Sequence, residues 1–149
     1  MSLTDVLDSV ARALAADSTI ESICQGVWGR SLTVHRRVGE LYLPETGEAP
    51  MVQMTSRSRS RDGHYVIHTV TLAVIAGELT EPEWDGQIRY SPDEADAEAL
   101  AERVEQVALT SLGDQGVAGE ASEEAEDVLT GPYFIAAYNF RITLRNSIQ

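Results

Sequence analysis

Residues 50–76 read PMVQMTSRSRSRDGHYVIHTVTLAVIA, and this stretch decides the fold. Arg61-Asp62-Gly63 sits between two long runs of alternating residues, the pattern of a three-residue hairpin loop with Gly63 in the left-handed position. That register pairs Ser60 with His64 and sets Val52 opposite Leu72 and Met54 opposite Val70 on one face. The other face then holds Gln53, Thr55, Arg57 and Arg59 against Thr71, Thr69, Ile67 and Tyr65. A two-residue Asp62-Gly63 loop would mix Gln53 with Leu72 and Arg57 with His68, so the pleat favours three. Only the half near the body has a clean apolar face; the tip is polar and rich in arginine. The expectation is a hairpin arm over residues 50–76 that reaches beyond the core.

Working outward, Ser2 caps a first helix whose Leu3, Val6, Leu7, Val10 and Leu14 keep the helical period, with Asp5 and Asp8 favouring its N-terminal end. Ser18-Thr19-Ile20-Glu21 is a capping-box pattern for a short second helix that Gly26 would stop. Ser31 to Val38 reads as a strand, and Gly39 to Pro50 as a loop in which Leu41-Tyr42-Leu43 folds back on the body. After the hairpin comes an acidic connector, Glu78 to Tyr90. Ser91-Pro92-Asp93-Glu94 then opens a helix that buries Ala97, Leu100, Ala101, Val104, Val107 and Ala108 and ends near Leu112-Gly113.

Residues 113–131 form a glycine-spaced acidic segment containing Glu120, Glu123, Glu124, Glu126 and Asp127, read as a flexible loop. Tyr133 to Leu144 alternates strictly and reads as a strand buried on one side. The order helix, short helix, strand, hairpin, helix, strand predicts a single α/β (α+β) domain over residues 1–149. Its simplest packing is a two-layer sandwich, a mainly antiparallel four-stranded sheet with helices on one face and a protruding β-hairpin.

A chain of 149 residues is long enough to bury a real core. One cysteine, Cys24, excludes an internal disulfide and fits a reducing compartment. No apolar run approaches the ~20 residues of a membrane span, and the N-terminus lacks the basic start and apolar segment of a signal peptide. A soluble intracellular product is expected. All basic residues are arginine, which reflects GC-rich codons rather than a structural need. The net charge of −13 is unevenly placed. Residues 78–130 hold sixteen acidic groups against two arginines, net −14, whereas residues 1–77 carry −1 and residues 131–149 carry +2. This balance opposes nonspecific nucleic-acid binding and lets identical copies meet acidic side to basic side.

Signals for chemistry are weak. His64 and His68 lie ~13 Å apart along a strand, too far to share a metal. Cys24 has no CxxC companion, and the acidic segment lacks the spaced ligands of an EF-hand. No phosphate loop, dinucleotide motif, nucleophile elbow or HExxH occurs. The expectation is a non-enzyme without catalytic residues, metal or cofactor. The Ser-Arg pairs from Ser56 to Arg61 are the sharpest signal. They read as a disordered serine-arginine motif, a basic ribbon for nucleic acid, a solvated hairpin face or a protein-contact arm. Arg57 and Arg59 opposite Ile67 and Tyr65 favour the contact arm.

Element order and local patterns resemble the tail-terminator (minor tail protein) family of long-tailed bacteriophages. The patterns are the amphipathic N-terminal helix, the strand Tyr65 to Val74, the helix Asp96 to Ala108 and the closing strand Phe134 to Thr143. The resemblance implies a structural α/β protein that forms a ring, usually a hexamer, on the tail tube. There it ends polymerisation and joins the tail to the head. It implies assembly in the bacterial host cytoplasm, residence in the virion tail, and tail tube and head-tail connector proteins as partners. Phage neck and connector proteins share related folds and are the alternative; a nucleic-acid module using the arginine hairpin is a weaker one. Expected subunit or tube contacts are Arg57, Arg59, Arg61, Tyr65 and Ile67 on the arm, with Glu120, Glu123 and Glu124 on the acidic segment.

Overall fold

Ser2 opens the first helix by accepting a hydrogen bond from the Asp5 amide at 3.1 Å, while the Asp5 carboxylate accepts from the Ser2 amide. In the computed structural model, residues 2–45, 47–130 and 133–145 are described, with the backbone alone for residues 118 and 120–130. Helix α1 (Leu3–Ala16) buries Leu3, Val6, Leu7, Val10 and Leu14, the stripe that the sequence predicts. Helix α2 (Ser18–Trp28) differs at both ends from expectation. Its cap is Asp17, whose carboxylate accepts from the Ile20 amide at 3.0 Å, and it runs through Gly26 to stop at Gly29, which adopts a φ of 65°.

The strands are β1 (Thr33–His35), β2 (Met51–Asp62), β3 (Tyr65–Glu78), β4 (Glu83–Asp85), β5 (Ile88–Tyr90), β6 (Ala118–Thr130) and β7 (Tyr133–Arg145), with α3 (Glu94–Asp114) between β5 and β6. The main sheet has the order β1-β2-β3-β7-β6, and β4 and β5 form a separate pair. β1 runs parallel to β2 and the other pairings are antiparallel, so the fold is α+β with a mixed sheet. One core cluster joins Leu7, Leu14 and Ile20 of the first two helices and Leu100 and Val104 of α3 to Val52, Met54, Leu72, Val74, Phe140 and Ile142 of the sheet. Complete burial of each such side chain contributes about 1.5–3 kcal/mol relative to exposure.

Part of the opposite sheet face is also buried, Gln53, Thr55, Thr71 and Ala73 included. There Ala49, Met51, Ile75 and Tyr133 form a small second cluster, and the Tyr133 hydroxyl donates to the Pro44 carbonyl at 3.0 Å. Gln53 is fully buried because its amide bonds both the amide and the carbonyl of Tyr42, at 3.0 and 2.9 Å. Tyr42 is thereby tied to the body through its backbone, while Leu41, Tyr42 and Leu43 remain 39–50% exposed, so the apolar run does not itself pack into the core.

Three expectations need correction. The sheet has five strands rather than four, because most of the segment read as the acidic loop 113–131 is the edge strand β6. It carries no alternating apolar signal, because the only large apolar residues between positions 118 and 130 are the adjacent Val128 and Leu129. Two extra residues are accommodated between Ala121 and Ala125 opposite β7. The hairpin does not protrude alone: β7 accompanies β3 along its length, with Arg145 opposite Tyr65 and Tyr133 opposite Glu78. The connector 78–90 carries a hairpin of its own.

Candidate functional site

The arginine end of β2 is shaped by one bulge. Near the body Val52 pairs with Val74, Met54 with Leu72 and Ser56 with Val70; beyond it Ser58 pairs with Thr69, Arg59 with His68 and Arg61 with Val66. Arg57 is the residue the ladder skips. Asp62 pairs with Tyr65, so the loop is Gly63-His64, with a positive φ at Gly63 alone. The expected three-residue loop and the Val52–Leu72 register are thus both replaced. A shift of two residues preserves the faces near the body, so Val52 and Met54 still point at the helices. At the tip the bulge changes them.

Paired residues of an antiparallel ladder share a face. Arg59 and Arg61, opposite His68 and Val66, lie on the helix side of the sheet. Ser58, Ser60 and Asp62 lie on the open side with Thr69, Ile67 and Tyr65. Arg57 also belongs to the open side, where its Nε donates to Thr71 Oγ1 at 2.9 Å. The expected grouping of Arg57 and Arg59 with Ile67 and Tyr65 therefore holds for Arg57 and fails for Arg59.

Both faces at this end are basic. On the helix side Arg37 donates to Ser56 Oγ at 2.8 Å, and Arg36 reaches Asp8 at 3.3 Å. Burial holds His68 below the ordinary histidine range, and the positive charges of Arg59 and then Arg37 add to that effect. Arg59 and Arg61 are exposed and have no ion-pair partner among the described residues. On the open side β7 places Arg141 opposite Thr69 and Arg145 opposite Tyr65, and Tyr65 is 51% exposed. Past Met54, which bonds the Val38 amide, the outer edge of β2 has no strand beside it among the described residues. This edge is the candidate surface.

No protein-family model matches the chain, and no curated protein matches its sequence. The surface therefore has to be read from its own chemistry. In β6 the backbone of Glu120 lies opposite Arg141, and Glu123 and Glu124 fall in the register shift; their side chains lie outside the described part. Cys24 is buried, and burial, with a smaller push from Glu21, drives its thiol up to about 12, where it is no nucleophile. Among the described residues, no three His, Cys, Asp or Glu side chains come together to hold a metal, and no helix is long and apolar enough to cross a membrane.

Sequence reasoning missed the second exposed surface. β4 and β5 pair Glu83 with Tyr90, Trp84 with Arg89 and Asp85 with Ile88, around a Gly86-Gln87 loop. All six strand residues are exposed, Trp84 by 67% and Ile88 by 65%. Asp93 does not cap α3; its carboxylate instead accepts from the amide and hydroxyl of Thr80, closing the base of this excursion. The missed signal was Asp85-Gly86 between short alternating runs, the same Asp-Gly start as Asp62-Gly63.

Proposed function

We propose that this chain is a structural assembly protein of a long-tailed bacteriophage, a tail terminator. Copies form a ring on the end of the tail tube, stop its polymerisation and present a surface to the head side. Tail tube protein and head-tail connector proteins are its partners, and assembly takes place in the host cytoplasm. The observation that carries this reading is the outer edge of β2, a strand edge left open past Met54 and lined by exposed arginines, in a chain with a net charge of −13. Open edges of this kind pair with other chains unless they are blocked. A basic edge on an acidic chain recruits acidic protein surface in preference to nucleic acid. The bulge weakens the nucleic-acid alternative further, because it divides the three arginines between two faces. Fewer phosphates could then be neutralised from one side.

The test mixes purified protein with tail tubes and images the tube ends by electron microscopy, with light scattering for ring size. Capped tubes of constant length are expected. Arg57→Glu with Arg59→Glu is expected to keep the fold and lose capping. Uncapped tubes with the wild-type protein would overturn the proposal.

A further inference from the structure

We propose that strand β4 of one copy adds to the open edge of β2 in the next copy, so that the Glu83–Tyr90 hairpin is the plug and the arginine end of the main hairpin is the socket. The inference rests on the head-to-tail assembly proposed above and names the contact that makes it. Two open edges are available. β4 is paired on one side only, with β5, and β2 is paired on one side only beyond Met54 among the described residues.

The side chains match in period as well as in sign. Arg59 and Arg61 are two residues apart and share the helix side of the sheet. Glu83 and Asp85 are two residues apart and share one face of β4. Placed edge to edge, the two acids meet the two arginines together. In that register Trp84 falls on the open side beside Ser60, whose partner across the ladder is Ile67. The most exposed large apolar side chain of the described residues thereby gains an apolar neighbour.

The two elements cannot satisfy each other within one copy. β3 spans fourteen residues from Tyr65, beside the arginine tip, to Glu78, which precedes the acidic hairpin. This is a length of roughly 40 Å. Plug and socket at opposite ends form a heterologous contact, which propagates from copy to copy and closes as a ring when the rotation allows. The Thr80–Asp93 hydrogen bond holds the base of the plug against the start of α3.

The experiment measures assembly by sedimentation velocity, with and without tail tubes, for two charge-reversed variants, Arg59→Glu/Arg61→Glu and Glu83→Arg/Asp85→Arg. Circular dichroism checks that each is folded, as substitutions of exposed residues should leave it. Each variant alone is expected to assemble roughly tenfold more weakly or worse. An equimolar mixture restores assembly, because each plug then meets a socket of opposite charge on the other variant. Trp84→Ala is expected to weaken assembly without reversing any charge. Assembly of both charge variants at wild-type strength, or a mixture that stays dissociated, overturns the contact while leaving tube capping intact as a function. Restored assembly with uncapped tubes upholds the contact and overturns the function. A wild-type chain that remains monomeric under both conditions overturns both.

Discussion

Arg57 donates from Nε to Thr71 Oγ1 at 2.9 Å, from the one position of β2 that the ladder to β3 skips. Thr71 in turn donates to Asn139 Oδ1 at 2.7 Å, so a single hydrogen-bonded line crosses β2, β3 and β7. The bulge thus has a fixed partner and is part of the fold. It turns Arg57 toward the open face and leaves Arg59 and Arg61 on the helix face.

Thr71→Val keeps the shape of a side chain that is 2% exposed but removes both bonds. The expected loss is about 1 kcal/mol, because the freed groups of Arg57 and Asn139 lie near enough to solvent to be rehydrated. Urea denaturation measures it. In a double-mutant cycle with Arg57→Ala, the coupling energy should vanish if the 2.9 Å bond does not form in solution.

Asp17 does two jobs. It caps α2, and its two oxygens accept the fork of Arg103 at 3.0 and 2.7 Å, tying the α1–α2 corner to α3. The Arg103 guanidinium chiefly, with the Ile20 and Thr19 amides, holds the carboxyl below its usual range. The folded chain therefore takes up this proton at lower pH than the unfolded chain does. Its stabilisation is complete above the unfolded carboxylate value and is lost as pH falls through the folded one. Asp17→Ala is expected to cost about 1 kcal/mol for the cap alone at neutral pH. Asp17→Asn retains a capping acceptor but flattens the acid limb of stability against pH. An unchanged acid limb in thermal melts would count against the Arg103 contact.

Helix faces were legible because apolar spacing reports burial directly: every buried residue of α1 stands in the stripe read from the sequence. The strand alternation of β7 was legible for the same reason. What alternation cannot report is a skipped residue. At Arg57 a shift changes the phase of the pattern, which hid the register of that strand pair. β6 was hidden instead because its large apolar residues, Val128 and Leu129, are adjacent and do not alternate. The candidate surface was half legible. Its arginines were found, but Arg59 was put on the wrong face, and the β4–β5 hairpin was passed over because an exposed pair leaves no one-sided apolar stripe.

Gly77 shows where backbone freedom is required. Its φ is 115°, and a Cβ there would lie 2.8 Å from Trp28 Nε1, whose N–H donates to the Glu78 carbonyl at 3.2 Å. Gly77→Ala must strain the backbone and push the indole off its acceptor. A loss of roughly 1–3 kcal/mol is expected from the backbone strain, before the indole contact is counted. Denaturant titration followed by tryptophan fluorescence reads the energy and the indole environment together, and a neutral result would mean that the strand can relax around the methyl group.

The division of the arginines between faces can be read without any assembly assay. His68 lies opposite Arg59, and burial, then the charge of Arg59, then that of Arg37 keep its proton affinity low. Because the folded value lies below the unfolded one, His68 supports the neutral-pH fold and opposes it as pH falls through the histidine range. Arg59→Gln removes one of the like charges and is expected to raise the His68 midpoint measured by NMR titration. Arg57→Gln, on the opposite face, is expected to leave it in place. Equal shifts from both substitutions would mean that the two arginines share a face, as an unbulged hairpin requires.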